Sequence, residues 1–248
     1  MTLKEFFDKY PKAALAFSGG TDSVYLLYEA VQCGADVKAY YVKSPFQPRF
    51  ELDDAIKAAG EFGARMEILE ADVLEHEDIR LNPVNRCYYC KRAIFGKIIE
   101  AAKKDGYEIL LDGTNASDDD SDRPGSRAIK ELSVFSPLRL CGLTKDRIRE
   151  LSREAGLFTW NKPAYACLAT RIPAGTAITS EMLDITESAE DYLFSMGFSD
   201  FRVRFLDGAA KLQIREEQFP LLLERREEIL GQLEKWYSGV YLDLKPRS

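Results

Sequence analysis

Residues 13–23 read AALAFSGGTDS and join a short apolar run to a glycine-rich turn. The apolar run predicts a buried strand over 13–17, and the spacing that follows predicts a helix over 22–32. The two glycines let the backbone turn sharply, so that successive N–H groups can face a phosphate at the start of the helix. No lysine follows them as in a Walker-type loop. The alternative is a plain strand-to-helix turn capped by Asp22.

Strands and helices alternate through about the first 160 residues. This alternation predicts an α/β fold, with a parallel, doubly wound sheet and right-handed crossovers. Ligands of such sheets bind beyond the carboxyl ends of the strands, so the loop over 112–115 is a candidate wall of a site. The other predicted elements are strands over 36–42, 65–69 and 108–111 and helices over 53–62 and 90–104.

The pattern changes around residues 173–176 and predicts a smaller α+β domain beyond them. We therefore expect a first domain over 1–175 and a second over 176–248, the latter for substrate recognition or contact between copies. Its predicted elements are helices over 180–196 and 219–236 and strands over 201–205, 211–214 and 239–244.

Composition excludes several classes of protein. The 248 residues are 46% hydrophobic, which is enough for a core without metal or disulfide staples and excludes a disordered, collagenous or coiled-coil chain. No apolar run approaches the roughly 18–20 residues of a membrane span, and the charged residues 1–10 do not resemble a signal peptide, so we expect a cytoplasmic protein. With 34 basic against 41 acidic residues, the net charge of −7 argues against nucleic acid as a partner.

The spacing of the five cysteines is interpreted first as a sign of metal binding or catalysis and only then of disulfides, because a reducing cytosol disfavours structural disulfides. Cys87 and Cys90 form a CxxC pair, which is ambiguous between a redox pair, half of a zinc site and part of an iron–sulfur site. Cys33 and Cys141 are predicted to be small buried hydrophobic residues.

Cys167 lies in the loop WNKPAYACLATR, residues 160–171. Lys162 and Arg171 flank it and can lower a thiol pKa and steer an anion. Three thiolates, those of Cys167 and the CxxC pair, can hold a [4Fe–4S] cluster that leaves one iron open for sulfide or substrate. Three thiolates also suit zinc, with His76 as a fourth ligand. His76 lies among charged residues, however, and the simpler interpretation is an exposed histidine in contact with solvent. Simple redox or buried thiols are the third alternative.

SGGTDS resembles the signature of the PP-loop ATP pyrophosphatase superfamily, which has a HUP-like fold. The resemblance implies an enzyme that adenylates its substrate with ATP and places Asp22 near the Mg²⁺ that neutralises pyrophosphate. Backbone N–H groups of Gly19, Gly20 and Thr21 would then bind the pyrophosphate, with hydroxyl donors at Ser18 and Ser23. The resemblance places adenine around three further residues, which are Ala16, Val42 and Gly113.

A narrower resemblance, to the LarE family, rests on motifs that run in order across most of the chain. They are SGGTDS at 18–23, RC at 86–87, DGTNASDD at 112–119, RPG at 123–125, SPL at 136–138, WNKP at 160–163, CLATRIP at 167–173, RVR at 202–204 and AKLQI at 210–214. That family makes the nickel-pincer cofactor of lactate racemase. It adenylates a carboxylate of pyridinium-3,5-biscarboxylic acid mononucleotide and converts it to a thiocarboxylate.

Cys167 matches the cysteine that the sacrificial form of the family consumes, leaving dehydroalanine. The added CxxC instead resembles the three-cysteine branch, in which Cys87, Cys90 and Cys167 would ligate a [4Fe–4S] cluster that carries the sulfur. Such a protein turns over repeatedly with an external sulfur source. The resemblance also implies a homo-oligomer.

An anionic small-molecule substrate calls for cationic partners. Arg171, Arg202 and Arg204 are candidates because guanidinium groups pair bidentately with phosphate and carboxylate, and a solvated surface charge is the alternative for each. The acidic run over 118–122 can help to hold metal or is a solvated loop. Competing functions are a PP-loop tRNA thiolase, a non-catalytic ATP-binding redox sensor and an amide-forming synthetase.

Overall fold

The computed structural model describes residues 1–118 and 124–247. It contains two compact units, one of Met1–Val73 with Asn85–Lys162 and one of Leu74–Val84 with Pro163–Ser248. The division into domains at residue 176 stays a prediction. Within the described residues, no helix combines the length and apolarity that a membrane crossing requires.

The first unit is built on a four-stranded parallel sheet in the order β3-β2-β1-β4. Its strands are β1 (Lys12–Ala16), β2 (Asp36–Lys43), β3 (Arg65–Glu70) and β4 (Leu110–Leu111). The predicted α/β class is confirmed, and each predicted strand of this sheet is present with ends shifted by at most two residues.

Helices cover both faces of this sheet, and the second unit has helices of its own. They are α1 (Leu3–Lys9), α2 (Thr21–Gln32), α3 (Arg49–Glu61), α4 (Glu77–Arg80), α5 (Arg86–Lys104), α6 (Pro124–Glu131), α7 (Pro137–Leu140), α8 (Lys145–Glu154), α9 (Ser180–Ser195), α10 (Phe219–Glu224) and α11 (Arg226–Leu233).

Burial on both faces of β1 makes the sheet doubly wound. Ala13 and Leu15 pack in an apolar cluster with residues of α1, α2 and α3, whereas Ala14 packs in another cluster with residues of α5. Side chains alternate between the faces of a strand, so a continuous apolar run is what a strand covered on both sides requires.

The second unit contains a three-stranded sheet in the order β5-β6-β7. Strands β5 (Arg202–Leu206) and β6 (Ala209–Gln213) are antiparallel, and β7 (Val240–Leu242) runs parallel to β6. The predicted single helix over 219–236 is wrong, because the chain leaves helical geometry at Arg225, with φ −97° and ψ 14°. Because neither glycine nor proline lies at Arg225, the sequence carries no helix-breaking residue that would predict this break.

Residues 74–84 pack in the second unit although they precede most of the first. Ile178 N–H donates to the carbonyl of Arg80 at 2.8 Å, and Gly175 N–H donates to that of Asn82 at 2.8 Å. The Asn82 side chain donates through Nδ2 to the carbonyl of Pro173 at 2.8 Å. Asn82 is buried and has φ 52°, a left-handed conformation that asparagine adopts more readily than most residues.

Replacing this asparagine should destabilise the protein. Asn82→Ala removes the donor to Pro173 and places a less compatible residue at positive φ, so the free energy of unfolding should fall by about 2–4 kcal/mol. Urea denaturation measures this change. Asn161→Ala, at an exposed position, is the control and should change it by less than about 0.5 kcal/mol. Equal effects of the two substitutions would contradict the assignment.

Candidate active site

Two loops meet at the carboxyl edge of the parallel sheet. β1 leads into Ser18–Ser23, and its neighbour β4 leads into residues 112–115. The connections from β1 and β4 run to opposite sides, so the sheet has its topological switch point between these two strands. Ligands of open α/β sheets bind in the crevice at such a point.

Glycine is required at the first turn of this site. Gly19 has φ 71°, and a Cβ on it would lie 2.8 Å from the carbonyl oxygen of Glu51 in α3. Gly20 is the N-cap of α2 and has no side chain to cap the helix. The first N–H groups of α2 therefore stay available to an anion at the positive end of the helix.

Hydroxyl groups brace the same loop. Ser18 Oγ and Ser23 Oγ are 3.0 Å apart, and Ser23 Oγ donates to the carbonyl of Gly20 at 3.1 Å. Thr21 Oγ1 donates to the carbonyl of Thr159 at 2.7 Å. The two serines that the sequence suggests as phosphate donors thus bond to each other and hold the turn in shape.

The loop after β4 packs directly on the start of α2. A Cβ on Gly113 would lie 3.1 Å from Ser23 N and 3.2 Å from its Cα, which leaves no room for a side chain. Asn115 donates through Nδ2 to Asp22 Oδ2 at 3.2 Å. Sequence reasoning missed this partnership, although the loop over 112–115 was a predicted wall of the site.

Asp22 carries a buried oxygen that lacks a partner. Its Oδ1 makes no hydrogen bond within residues 1–118 and 124–247. Burial raises the pKa of this carboxyl group, an effect that the hydrogen bond from Asn115 partly opposes. A buried carboxylate oxygen without a donor is costly unless a cation accompanies it, so this atom fits a hard metal ion such as Mg²⁺.

The residues predicted to surround adenine lie at the same edge of the sheet. Ala16 ends β1 opposite Tyr40 of β2, and Val42 lies two residues further along β2. Val42 is buried, as is β4 immediately before Gly113. The structure therefore brings Ala16, Val42 and Gly113 to the edge that carries Ser18–Ser23, and their role in binding stays a prediction.

The CxxC pair lies in the first turn of α5. A spacing of three places Cys87 and Cys90 on one face of the helix, near its positive end. Cys87 is exposed and Cys90 is half-buried. Arg86 directs its guanidinium towards Cys87 Sγ, at an N···S distance of 3.8 Å. The helix terminus and the arginine thus place positive charge beside the Cys87 sulfur.

A cavity of about 430 Å³ opens beside this pair and is lined by residues of α5, of α6 and of the loop after β4. Cys87, Lys91 and Thr114 are among its lining residues. Burial lowers the pKa of the Lys91 ammonium, against the attraction of Asp112 and other negative groups. Sequence reasoning missed Lys91, whose position one turn after Cys87 was the available signal.

Three arginines hold the backbone of the Cys167 loop in the second unit. Arg171 donates to the carbonyl of Ala166 at 2.9 Å. Arg202 donates to that of Ala164 at 2.7 Å, and Arg204 donates to that of Thr170 at 2.7 Å. The carbonyl of Cys167 itself accepts hydrogen bonds from the N–H and hydroxyl of Thr170 at 2.9 and 2.8 Å.

Glu190 of α9 anchors this arrangement. Its carboxylate accepts bonds from Arg171 Nε at 2.8 Å, from a terminal nitrogen of Arg171 at 3.0 Å and from Val203 N–H at 2.9 Å. Tyr165 also donates its hydroxyl to Glu190, and the Arg171 guanidinium lies 4.5 Å from the centre of the Tyr165 ring. Sequence reasoning missed Glu190, which resembles any other glutamate of an acidic helix.

Electrostatics differ among the three candidate substrate arginines. Burial alone lowers the pKa of Arg171, but the Glu190 hydrogen bonds more than offset it and the pKa is raised. Burial, together with the like charges of Arg171 and Arg247, lowers the pKa of Arg202 to about 10. The same causes lower the pKa of Arg204, which is half-buried. Substrate binding by these residues stays a prediction.

Lys162 has a partner in the first unit. Its amine forms an ion pair with Asp54 at 2.6 Å and lies 5.2 Å from the centre of the Phe50 ring. The carboxylate of Asp54 therefore already balances the charge that Lys162 was expected to contribute near the Cys167 thiol.

The other two cysteines are less buried than predicted, and the histidine is exposed. Cys33 and Cys141 are half-buried against the main apolar cluster, and burial raises the pKa of both thiols. His76 is exposed at the N-cap of α4.

The described residues contain no group of three or more His, Cys, Asp or Glu side chains placed as metal ligands. The three-cysteine ligand set therefore stays a prediction. Asp118 is exposed and accepts a bond from Asn115 N–H at 2.9 Å. The rest of the acidic run, Asp119, Asp120 and Asp122, lies outside the described residues, as does Arg123.

The chain is similar to several known proteins along nearly its full length, although no protein-family model matches it. It is 33% identical to an uncharacterised protein of Synechocystis, over 98% of this chain and 92% of the relative. It is 32% identical to the pyridinium-3,5-bisthiocarboxylic acid mononucleotide synthase of Lactiplantibacillus plantarum, over 94% of this chain and 86% of the relative.

A more distant similarity extends to RNA-modifying proteins. The tRNA-specific 2-thiouridylase MnmA of Thermotoga maritima is 25% identical over 61% of this chain and 54% of its own length. The full-length similarity to the mononucleotide synthase is the deciding one, and it agrees with the parallel sheet and the glycine-rich turn after its first strand. The chain is therefore an enzyme that belongs to the LarE family of PP-loop proteins.

Proposed function

We propose that the chain is an ATP-dependent sulfur transferase. It adenylates a carboxylate of pyridinium-3,5-biscarboxylic acid mononucleotide and replaces the carboxylate by a thiocarboxylate. The observation that carries this proposal lies at the switch point of the sheet. There the open N-terminus of α2 adjoins Asp22 Oδ1, which has no partner among the described residues. The similarity to the Lactiplantibacillus relative, a synthase of the bisthiocarboxylic acid mononucleotide, supports this substrate.

Activation is the task of the first unit. A carboxylate is a poor electrophile, and adenylation turns one of its oxygens into part of a phosphate leaving group. The N–H groups after Gly19 and Gly20 would bind the phosphates of ATP, and Asp22 would hold Mg²⁺. The metal ion supplies neutralisation of charge on the departing pyrophosphate. Because the loop is fixed, most of the rate enhancement would come from positioning ATP and the carboxylate for reaction.

Substitution is the task of the cysteines. Cys87, Cys90 and Cys167 would hold a [4Fe–4S] cluster, and this soft donor set suits it. The positive end of α5 and Arg86 lie beside Cys87, so positive charge is at hand for an anionic cluster. The cluster supplies a site that carries the sulfur to be transferred. Cys167 is then a ligand and is not consumed.

The substrate is an anion, and the second unit offers positive charge for it. Arg202 and Arg204 have pKa values lowered by burial and by neighbouring guanidinium groups, so an added anion would relieve their mutual repulsion. Arg171 already donates to Glu190, to the carbonyl of Ala166 and to the hydroxyl of Thr170, and we assign it mainly to positioning. Homo-oligomer formation, which the family resemblance implies, stays a prediction.

A tRNA thiolase is the second candidate, because MnmA proteins share part of the sequence. Such an enzyme needs a basic face for the phosphate backbone, and the net charge of −7 does not favour one.

Removing the unpartnered carboxylate should stop activation. Asp22→Asn keeps the size of the side chain and removes its charge, so pyrophosphate release from ATP with the dicarboxylate substrate should fall about a hundredfold or more. Asp53→Asn, at an exposed position of α3, is the control. Release at the parent rate by Asp22→Asn would exclude Asp22 from the mechanism.

Removing the thiol of Cys167 should separate the two chemical steps. Cys167→Ser should still release pyrophosphate, since activation lies in the first unit, but should form no thiocarboxylate. Mass spectrometry of product and protein measures both, with Cys141→Ser as the control. A parent chain that loses the mass of hydrogen sulfide during turnover would show that Cys167 is the sulfur donor.

Metal analysis of anaerobically purified protein tests the ligand set. We expect about four irons and four sulfides per chain in the parent, lost in Cys87→Ala, Cys90→Ala and Cys167→Ala. Cys33→Ala and Cys141→Ala should retain them. Zinc in place of iron, or loss of iron in either control, would contradict the proposed ligands.

A further inference from the structure

A short turn, residues 159–162, ends the first unit and leads into the Cys167 loop. Lys162 N–H donates to the carbonyl of Thr159 at 3.1 Å and closes the turn, which we call the anchor turn. The second unit begins at the next residue, Pro163, and the chain reaches Cys167 shortly afterwards. The position of the anchor turn therefore sets the point from which the Cys167 loop starts.

The hydroxyl of Thr21 holds the anchor turn from the phosphate loop, Ser18–Ser23. Thr21 is the first residue of α2, and its Oγ1 donates to the carbonyl of Thr159 at 2.7 Å. The two residues are 138 positions apart in the sequence, so the bond is a tertiary contact. The Thr159 carbonyl is thus bonded both within the anchor turn and to the phosphate loop.

Two other helices of the same unit hold the far end of the anchor turn. Arg149 of α8 donates to the carbonyl of Lys162 at 2.8 Å. The amine of Lys162 pairs with Asp54 of α3, as described above. The guanidinium of Arg153, also in α8, lies 5.2 Å from the centre of the Trp160 ring. Contacts from α2, α3 and α8 therefore fix the turn within the first unit.

Burial makes the bond from Thr21 hard to replace with water. Thr159 is 0% exposed, so its carbonyl depends on protein donors. The side-chain hydroxyl of Thr159 has no hydrogen-bond partner in the part of the chain that the structure describes. That hydroxyl takes no part in the link to Thr21, so it supplies a matched control: its removal leaves the carbonyl and the bond in place.

Thr21 presents different groups to the phosphate site and to the anchor turn. Its N–H is among the first of α2, which stay available to an anion. Its hydroxyl is directed to Thr159. The Cα and Cβ of this one residue therefore join the place where a phosphate would bind to the stem of the Cys167 loop.

We propose that the Thr21 hydroxyl is a positioning group for sulfur transfer. It fastens the stem of the Cys167 loop to the loop at which the carboxylate is activated. The sulfur carried at Cys167 has to meet the adenylated carboxylate before water does, and a fixed starting point reduces the number of conformations that the loop explores. This inference rests on the proposed function, which assigns activation to the phosphate loop and substitution to the cysteines.

The yield of thiocarboxylate per pyrophosphate released, measured in a single turnover, tests this role. Anaerobically purified protein is given ATP, Mg²⁺, the dicarboxylate substrate and sulfide. Thr21→Val keeps the shape of the side chain and removes the hydroxyl. Water should then attack more of the adenylate, releasing AMP and the original carboxylate, and the yield should fall about three- to tenfold, as for one neutral hydrogen bond.

Two further variants separate the hydrogen bond from packing. Thr21→Ser keeps the hydroxyl and should restore most of the parent yield. Thr159→Val removes the hydroxyl that lies outside the link and should keep the parent yield. A merely structural effect of changing this buried contact would lower the yield in Thr159→Val as much as in Thr21→Val, and that result would contradict the proposal.

An unchanged yield in Thr21→Val would overturn the proposal, as would a lowered yield that Thr21→Ser does not restore. Loss of pyrophosphate release in Thr21→Val would also overturn it, because the hydroxyl would then act in activation. The parent separates this inference from the proposed function. Absent pyrophosphate release by the parent contradicts the function, whereas intact release with equal yields in the parent and all variants removes this inference alone.

Discussion

The close approach of Gly113 to Ser23 is the constraint on which the candidate active site depends. A methyl group at Gly113 would lie within 3.1–3.3 Å of three atoms of Ser23, so the loop after β4 can reach the phosphate loop only without a side chain there. This approach brings Asn115 within hydrogen-bond distance of Asp22, whose other carboxylate oxygen has no partner in the part of the chain that the structure describes. Backbone packing thus determines where a cation and a phosphate would lie.

A buried carboxylate has the corresponding role in the second unit. Both oxygens of Glu190 accept hydrogen bonds, and the side chains of Glu190 and Arg171 are 1% and 0% exposed. A buried ion pair contributes little net stability, because desolvation cancels most of the attraction. The pair instead fixes the position of the Cys167 loop, because Arg171 connects Glu190 to the carbonyl of Ala166, the residue before Cys167.

Much of this arrangement could be predicted from the sequence because it repeats simple patterns. The apolar runs of β1 and β2 follow directly from burial on two faces, and Gly19 follows from a turn at positive φ. The CxxC pair is also visible in the sequence, although the predicted helix begins at Cys90 and α5 begins at Arg86, so that both thiols lie on the helix. These features are local, and local patterns are what a single sequence displays.

The parts that could not be predicted depend on contacts between distant residues. Glu190 and Lys91 owe their importance to burial among particular neighbours, which residue type does not reveal. The break at Arg225 has no glycine or proline to mark it. Arg171 was predicted from its charge to meet a substrate, and its position shows a guanidinium engaged with the protein itself.

The placement of residues 74–84 has a consequence for synthesis of the chain. Their partners begin at Pro163, 79 residues after Val84. At roughly 5–20 residues per second, the ribosome needs about 4–16 s to make that intervening stretch. During this interval the first sheet can form, while the early segment waits without the carbonyl and amide partners of residues 173–178. The second unit is therefore completed late, by capture of a segment that left the ribosome long before.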